Sequence, residues 1–321
     1  MNRIDVIIPV YNPDEKLKKL LSGLSRQSVR ADRIILIWTL PEGKDSDPAG
    51  CAEYISCYGD KTFVETVCIE KKDFDHGGTR AYAASLSDAE YMLFMTQDAV
   101  PADNNLISSL LKKFENKNVA AAYARQLPAK DATLTEKIIR EFNYPETERV
   151  QNSDTLSCYG IKTYFCSDVC AMYKKVCYDE AGGFVRRTIF NEDMIMAASL
   201  VNLGYTVMYT PEARVVHSHH YTYMEQYRRN FDLAVSQEEH PEIFDGVPSE
   251  GEGIKMVITV AKKLVKAGRI YMVPDLFLES AFKYMGYRKG KRYKRLSGKK
   301  ILRCTMNRLY WMNKKDTDKD N

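Results

Sequence analysis

No uninterrupted apolar run in this 321-residue chain approaches the roughly 18 residues needed to cross a bilayer. The opening Met1-Asn2-Arg3-Ile4-Asp5-Val6 runs directly into a strand-like segment and lacks the apolar core of a secretory signal. No Cys-x-x-Cys pair occurs among the eight cysteines (Cys51, Cys57, Cys68, Cys158, Cys166, Cys170, Cys177 and Cys304). They read as packed core thiols, and without an export signal a reducing cytoplasm is the expected compartment. His-Glu-x-x-His is absent, which leaves a zinc hydrolase without its paired ligands. Internal repeats are absent too. A composition of 45% apolar and 28% charged residues excludes disordered, collagen-like and low-complexity classes for most of the chain. The length fits two domains, or one large α/β domain with an appendage.

Acid is scarce at one end. Residues 251–321 hold 19 Lys and Arg against six Asp and Glu, a formal +13, while the preceding 250 residues carry −9. The densest stretch, residues 284–300, has eight basic residues and no acid, with Tyr284, Tyr287 and Tyr293 interleaved. Such a segment suits an anionic membrane surface or nucleic-acid phosphates. The acidic remainder and the lack of any nucleic-acid motif argue against the second partner, so no nucleic acid is expected.

The chain alternates short buried strands with helical patterns. Residues 4–10, 33–38, 62–69, 91–95 and 119–123 read as strands, and residues 14–25, 79–86 and 105–114 as helices. This β-α-β order predicts an α/β fold with a mostly parallel sheet flanked by helices. Ligands of such sheets bind beyond the carboxyl ends of the strands.

Four polar sequences sit at such places. Thr96-Gln97-Asp98 follows a strand, where an aspartate can hold a divalent cation or simply shape a turn. Phe74-Asp75-His76-Gly77-Gly78-Thr79-Arg80 opens a helix: it offers N–H groups and a cation to phosphate, or else is a glycine turn with Thr79 as cap. Asn191-Glu192-Asp193-Met194 opens another, with Asn191 capping acids that complement the helix dipole, or with a carboxylate placed as general base. His217-Ser218-His219-His220 ends a strand and puts His217 and His219 on one side, as metal ligands can be.

Taken in order, these pieces resemble family 2 of the inverting glycosyltransferases, which have the GT-A (Rossmann-like) fold. Val6-Ile7-Ile8-Pro9-Val10-Tyr11-Asn12 is similar to that family's first strand and loop. The Asp75–Arg80 segment, Thr96-Gln97-Asp98-Ala99, Asn191-Glu192-Asp193-Met194 and Ala213-Arg214-Val215-Val216-His217-Ser218-His219 resemble its bacterial rhamnosyltransferase branch, which uses dTDP-rhamnose. Gly286-Tyr287-Arg288-Lys289-Gly290-Lys291 and Tyr310-Trp311 do so as well. The resemblance implies a metal-dependent transferase of sugar onto a lipid-linked or polysaccharide acceptor at the cell surface. Residues 1–245 would form the GT-A domain and residues 246–321 a basic helical membrane-associating or acceptor region. Pro9, Tyr11, Asn12, Asp75, Gly78, Arg80, Thr96 and Gln97 would line the nucleotide-sugar site. Asp98 with His217 or His219 would hold Mg²⁺ or Mn²⁺. Asp193, beside Glu192, would be the catalytic base. The enzyme would work in the cytoplasm against the inner face of the membrane, with homo-oligomerisation left open. Two departures stand out. Thr96 replaces the first acid of the family's triplet, and Ile37-Trp38-Thr39-Leu40 ends the second strand where the family has an acidic or Ser-rich turn. Another donor, such as UDP-glucose or UDP-galactose, or a non-catalytic nucleotide-sugar binder, is therefore an open alternative.

Overall fold

The computed structural model describes residues 3–41, 43, 48–58, 63–246 and 250–317. Thr62, expected to open the third strand, lies outside them, as do Met1 and Asn2 and residues 247–249 and 318–321 of the basic part.

Among the described residues, nine strands form one sheet: β1 (Ile4–Val10), β2 (Arg33–Leu40), β3 (Phe63–Glu70), β4 (Tyr91–Met95), β5 (Val100–Pro101), β6 (Val119–Leu127), β7 (Arg149–Gln151), β8 (Cys170–Lys174) and β9 (Thr206–Val216). Their order is β3-β2-β1-β4-β8-β6-β9-β5, with β7 paired to β9. The β3-β2-β1-β4 half is parallel throughout, and β6 runs parallel to β9. Strand β8 was not expected from the sequence. It lies antiparallel between β4 and β6 and joins the two parallel parts. Its five residues, Cys170 to Lys174, give too short a pattern to stand out against the surrounding loops.

Helices α1 (Glu15–Ser25), α2 (Pro48–Ile55), α3 (His76–Ser85), α4 (Leu106–Leu111), α5 (Leu134–Asn143), α6 (Leu156–Tyr159), α7 (Lys175–Glu180) and α8 (Glu192–Asn202) punctuate the strands. Helix α1 shows the logic. Asp14 caps it by accepting from the Lys16 N–H, and Leu17, Leu20, Leu21 and Leu24 recur on one buried face. They join a core with Ile4, Val6, Ile8 and Val10 of β1 and Leu36 of β2. Asp5 is buried inside that strand because Arg33 Nη2 and the Ser87 hydroxyl each lie 2.7 Å from its carboxylate.

The chain resolves into two compact units. The first comprises Met1–Ala129, Tyr144–Arg186 and Glu192–His217; the second comprises Lys130–Asn143, Arg187–Asn191 and Ser218–Asn321. The second unit is helical. It contains α5, then α9 (Tyr223–Glu239), α10 (Pro241–Phe244), α11 (Glu250–Lys266), α12 (Val273–Gly290), α13 (Gly298–Cys304) and α14 (Arg308–Thr317). Helix α9 starts with a reciprocal cap between Thr222 and Glu225. One cluster packs Phe231 and Val235 against Tyr293, Ile301 and Trp311; another packs Ile138 against Val260, Leu264 and Leu276. No described helix is long and apolar enough to cross a membrane.

Candidate active site

The sheet topology gathers the polar sequences of the first unit. Strands β1 and β4 are parallel neighbours, so the loops that follow Val10 and Met95 leave the same edge. Antiparallel β8 places Cys170 opposite Met95, which brings the residues before β8 to that edge as well. The Thr96 N–H accordingly donates to the Val169 carbonyl over 3.2 Å.

The first two loops are stitched together. The Tyr11 N–H donates to Gln97 Oε1 at 2.7 Å, and Gln97 Nε2 donates back to the Tyr11 carbonyl at 2.9 Å. Gln97 thereby fixes the Tyr11 backbone, whose side chain stands 40% exposed at the strand end. Asn12 turns the chain at a φ of 44°, a left-handed conformation that asparagine tolerates. Pro9 remains within β1, half-buried opposite Ile37. The Thr96 hydroxyl is buried with no hydrogen-bond partner among the described residues.

Helix α3 is capped by Asp75, not by Thr79. Asp75 Oδ1 accepts from the Gly78 N–H at 2.5 Å, and Thr79 Oγ1 accepts from the Asp75 N–H at 3.1 Å. A Cβ at position 78 would sit 2.9 Å from Asp75 Oδ1, which accounts for the glycine. The helix then carries Arg80 inward. Its guanidinium is buried, with Nη1 3.0 Å from Glu192 Oε1 and Nε 3.4 Å from Asp168 Oδ2.

Two carboxylates thus share one arginine, and the charge of a third, Asp193, also acts on it. Asp168, 2% exposed, accepts from the Tyr173 hydroxyl at 2.7 Å, and its own N–H donates to Asp193 Oδ2 at 3.3 Å. Asp193 also accepts from the Met194 N–H at 2.8 Å. Burial, then the negative Glu192, pushes Asp193 up to about 7. Burial drives Asp168 well above the usual carboxylate range, against the pull of Arg80. With one cation facing three acids, the cluster retains a proton near neutrality. A carboxylate tuned to that range is suited to take a proton from a hydroxyl. Asp168 was missed in the sequence. Its only signal was an acid flanked by Cys166, Val169 and Cys170, an apolar setting in which a carboxylate needs partners. Asn191 does not cap α8 in the expected way. It has a φ of 64°, and its amide donates to the Leu233 carbonyl at 3.2 Å.

At the end of β9, His217 is buried with Nε2 3.5 Å from Asp98 Oδ1. Its Nδ1 faces Gln126 Oε1 at 2.9 Å, and the Gln126 amide nitrogen lies 2.6 Å from Tyr144 Oη and 2.9 Å from Ser167 Oγ. The imidazole is therefore oriented from behind, with Nε2 turned toward the carboxylate. Lys16 Nζ approaches the other Asp98 oxygen at 3.9 Å. His219, two residues on and in the second unit, is exposed and stacked on Tyr221.

Known proteins share both the sequence and the fold. Residues 5–182 match the family model of glycosyl transferase family 2. The chain is 35% identical over 315 residues to the O-antigen chain rhamnosyltransferase RfbN of Salmonella typhimurium, covering 97% of this chain and 96% of that protein. The chain belongs to glycosyltransferase family 2. It is also 32% identical over 318 residues to the O-antigen chain rhamnosyltransferase WbaN of Salmonella anatum, covering 98% and 97% of the two chains. Among solved structures it is similar to the mannosyltransferase PcManGT of Pyrobaculum calidifontis in complex with GDP-Man and Mn²⁺, with a TM-score of 0.62 and 13% identity over 90% of this chain and 87% of that one. A further likeness is to S. aureus TarS 1-349 in complex with UDP-GlcNAc, at a TM-score of 0.50 and 12% identity over 91% of each chain. These likenesses give the GT-A fold expected from the sequence. As a family 2 glycosyltransferase, the protein is an enzyme.

Proposed function

We propose that the protein is an inverting rhamnosyltransferase that moves L-rhamnose from dTDP-rhamnose onto a cell-surface polysaccharide acceptor, carried on lipid as it grows. The full-length identity to two O-antigen chain rhamnosyltransferases carries this reading. The acid cluster around Asp193 supplies the chemistry. Asp193 takes the proton of an acceptor hydroxyl while that oxygen bonds to the anomeric carbon. The bond from that carbon to the diphosphate oxygen breaks on the opposite face, and the leaving group keeps the electron pair. One displacement inverts the configuration. Burial and the negative Glu192 keep the base from ionising fully below neutrality, while the Asp168 and Met194 N–H groups and Arg80 pull the other way.

Tyr11, Asn12 and Gln97, with Pro9 behind them, form a rigid strand-end wall for the nucleotide. Thr96 offers a hydroxyl that a ligand can satisfy. Asp75 and Gly78 shape the N-terminus of α3 beside it. Asp98 and His217 fit a divalent cation. A carboxylate with imidazole suits Mn²⁺ better than Mg²⁺, which favours all-oxygen sites. When bound, such an ion neutralises charge on the diphosphate leaving group. Residues 246–321 would hold the enzyme against the inner face of the membrane, where a lipid-linked acceptor resides.

The test is thermal stabilisation by dTDP-rhamnose, UDP-glucose, UDP-galactose and GDP-mannose, each with and without Mn²⁺, followed by transfer assays. A ligand that binds the native state raises its apparent stability. Stabilisation by dTDP-rhamnose with Mn²⁺, lost in Asp98→Ala, is the expected result. Stabilisation by a UDP-sugar instead would replace the donor. No stabilisation by any of the four would favour a non-catalytic role.

A further inference from the structure

Of the 18 large apolar side chains exposed among the described residues, 11 lie between Ile254 and Met312. They are not scattered. On α11, Ile254, Ile258 and Val265 fall on one exposed stripe, about a third of a turn round from buried Val260 and Leu264. On α12, Phe277, Ala281, Tyr284 and Met285 fall on another, opposite buried Leu276, Gly286 and Gly290. The turn between the helices exposes Ile270 and Tyr271 by about two thirds each, at 66% and 68%. Both helices are thus apolar on two sides, and only the inner side is packed: Val260, Leu264 and Leu276 lie against Ile138, and Gly286 and Gly290 against α9. Exposed apolar surface of this extent marks an interaction site on a folded protein.

The charge around it identifies the occupant. Residues 254–300 contain 14 Lys and Arg and two acids, Asp275 and Glu279. Both acids are engaged by α9. The Tyr223 hydroxyl donates to Asp275, and Gln226 Nε2 donates to Glu279 Oε1 at 3.1 Å. Lys262, Lys266, Arg269, Arg288 and Lys289 remain exposed beside the apolar stripes. A second copy of the chain would set like charge against like, whereas an anionic lipid surface complements both the charge and the apolar stripes. Neither helix can span the bilayer, so the contact lies in its interface.

We propose that the α11–α12 hairpin docks the protein on an anionic phospholipid surface, with Ile270, Tyr271, Phe277, Tyr284 and Met285 entering the headgroup layer and the neighbouring lysines and arginines on the phosphates. The proposal deepens the reading of an enzyme with a membrane-borne acceptor and rests on it. It assigns the contact to one hairpin and makes it apolar as well as electrostatic.

The test uses the full chain and phosphatidylcholine vesicles with and without phosphatidylglycerol. Wild-type protein should co-sediment only with the anionic vesicles. The triple variant Ile270→Ser, Tyr271→Ser, Phe277→Ser should lose that binding by about tenfold or more, as should Lys262→Glu, Lys266→Glu, Arg269→Glu. The indole of a Phe277→Trp variant should be quenched by brominated lipid chains. Undiminished binding of the serine variant, or an unquenched indole, would overturn insertion. A dimer in light scattering that the serine substitutions disperse would hand the face to a second copy. Stabilisation by nucleotide sugar with Mn²⁺ should be the same in all these variants. Its absence from wild type would count against the proposed function while leaving the lipid result intact.

Discussion

The main-chain N–H of Asp168 donates to Asp193 Oδ2 over 3.3 Å, so the residue that crowds the base with a second carboxyl also holds it in place. That pairing makes proton affinity and geometry at the candidate base inseparable in most variants. The matching amide keeps the shape of the side chain and removes its charge, at the cost of one of the two oxygens that accept from the Asp168 and Met194 N–H groups.

Transfer should rise with pH through about 7, where burial and Glu192 place the Asp193 carboxyl, because only the ionised form accepts the acceptor proton. Asp193→Asn should lower kcat by about 10²–10⁴-fold with donor binding retained. A flat profile between pH 6 and 8, or an active Asp193→Asn variant, would remove Asp193 from the role.

The same shift has a stability consequence of opposite sign. The folded state binds the Asp193 proton more tightly than the unfolded chain, whose carboxyl titrates near the ordinary value of about 4. This contribution is therefore full at low pH and is lost as pH rises from there through about 7. Asp193→Asn should melt higher than wild type at pH 8, by about 1–2 kcal/mol, and show little gain at pH 5. Melts at the two pH values decide it. An equal gain at both would point to packing.

Asp168→Asn should barely move the pH profile. Burial pushes the Asp168 carboxyl toward its neutral form, and the amide preserves the acceptor for the Tyr173 hydroxyl and leaves the main-chain N–H to Asp193 in place. Asp168→Ala strands the buried tyrosine hydroxyl and should cost about 1–3 kcal/mol. An acid shift of one unit or more in Asp168→Asn would show that Asp168 is charged during turnover.

Much of this architecture is legible in the amino-acid sequence. The parallel half of the sheet declares itself through β1, β2 and β4, whose apolar runs are too continuous for surface strands. The polar tips at Tyr11, Gln97, Asp98 and His217 follow from where those runs stop. Asp168 is hidden because its importance comes from an antiparallel pairing, and sequence spacing carries no trace of which strand lies beside which. Arg80 shows a related limit. An arginine in the first turns of a glycine-rich helix suggests phosphate, yet here it is buried against Asp168 and Glu192. The stretch from Gly286 to Lys291 illustrates the reverse. Its basic residues draw notice, but its two glycines are what α9 packs against.

Asp98 and His217 should act together toward a cation. Asp98→Asn and His217→Ala should each abolish the added stabilisation that Mn²⁺ gives with a nucleotide sugar. Gln126→Leu, which leaves both donors but removes the amide behind the imidazole, should weaken Mn²⁺ affinity by about 10–100-fold. Titration followed by Mn²⁺ electron spin resonance reads binding without turnover. Full affinity in Gln126→Leu would mean that the ring is oriented by other contacts.

Gly286 and Gly290 lie one turn apart on α12 where it crosses α9. A Cβ at Gly286 would fall 2.0 Å from the Tyr227 carbonyl oxygen, and one at Gly290 would fall 2.4 Å from that of Phe231. Both obstacles are backbone, so no rotamer change relieves them, and the helices would have to separate. Overpacking of this kind typically costs about 1–3 kcal/mol, and Gly286→Ala should sit at the top of that range because the contact is tightest there. Gly253 of α11 is the matched control. Nothing lies within 4 Å of its would-be Cβ, so Gly253→Ala should stabilise by about 0.5–1 kcal/mol through helix propensity alone. Denaturant melts of the two variants should move in opposite directions. Equal behaviour would mean that α12 does not approach α9 through its glycines.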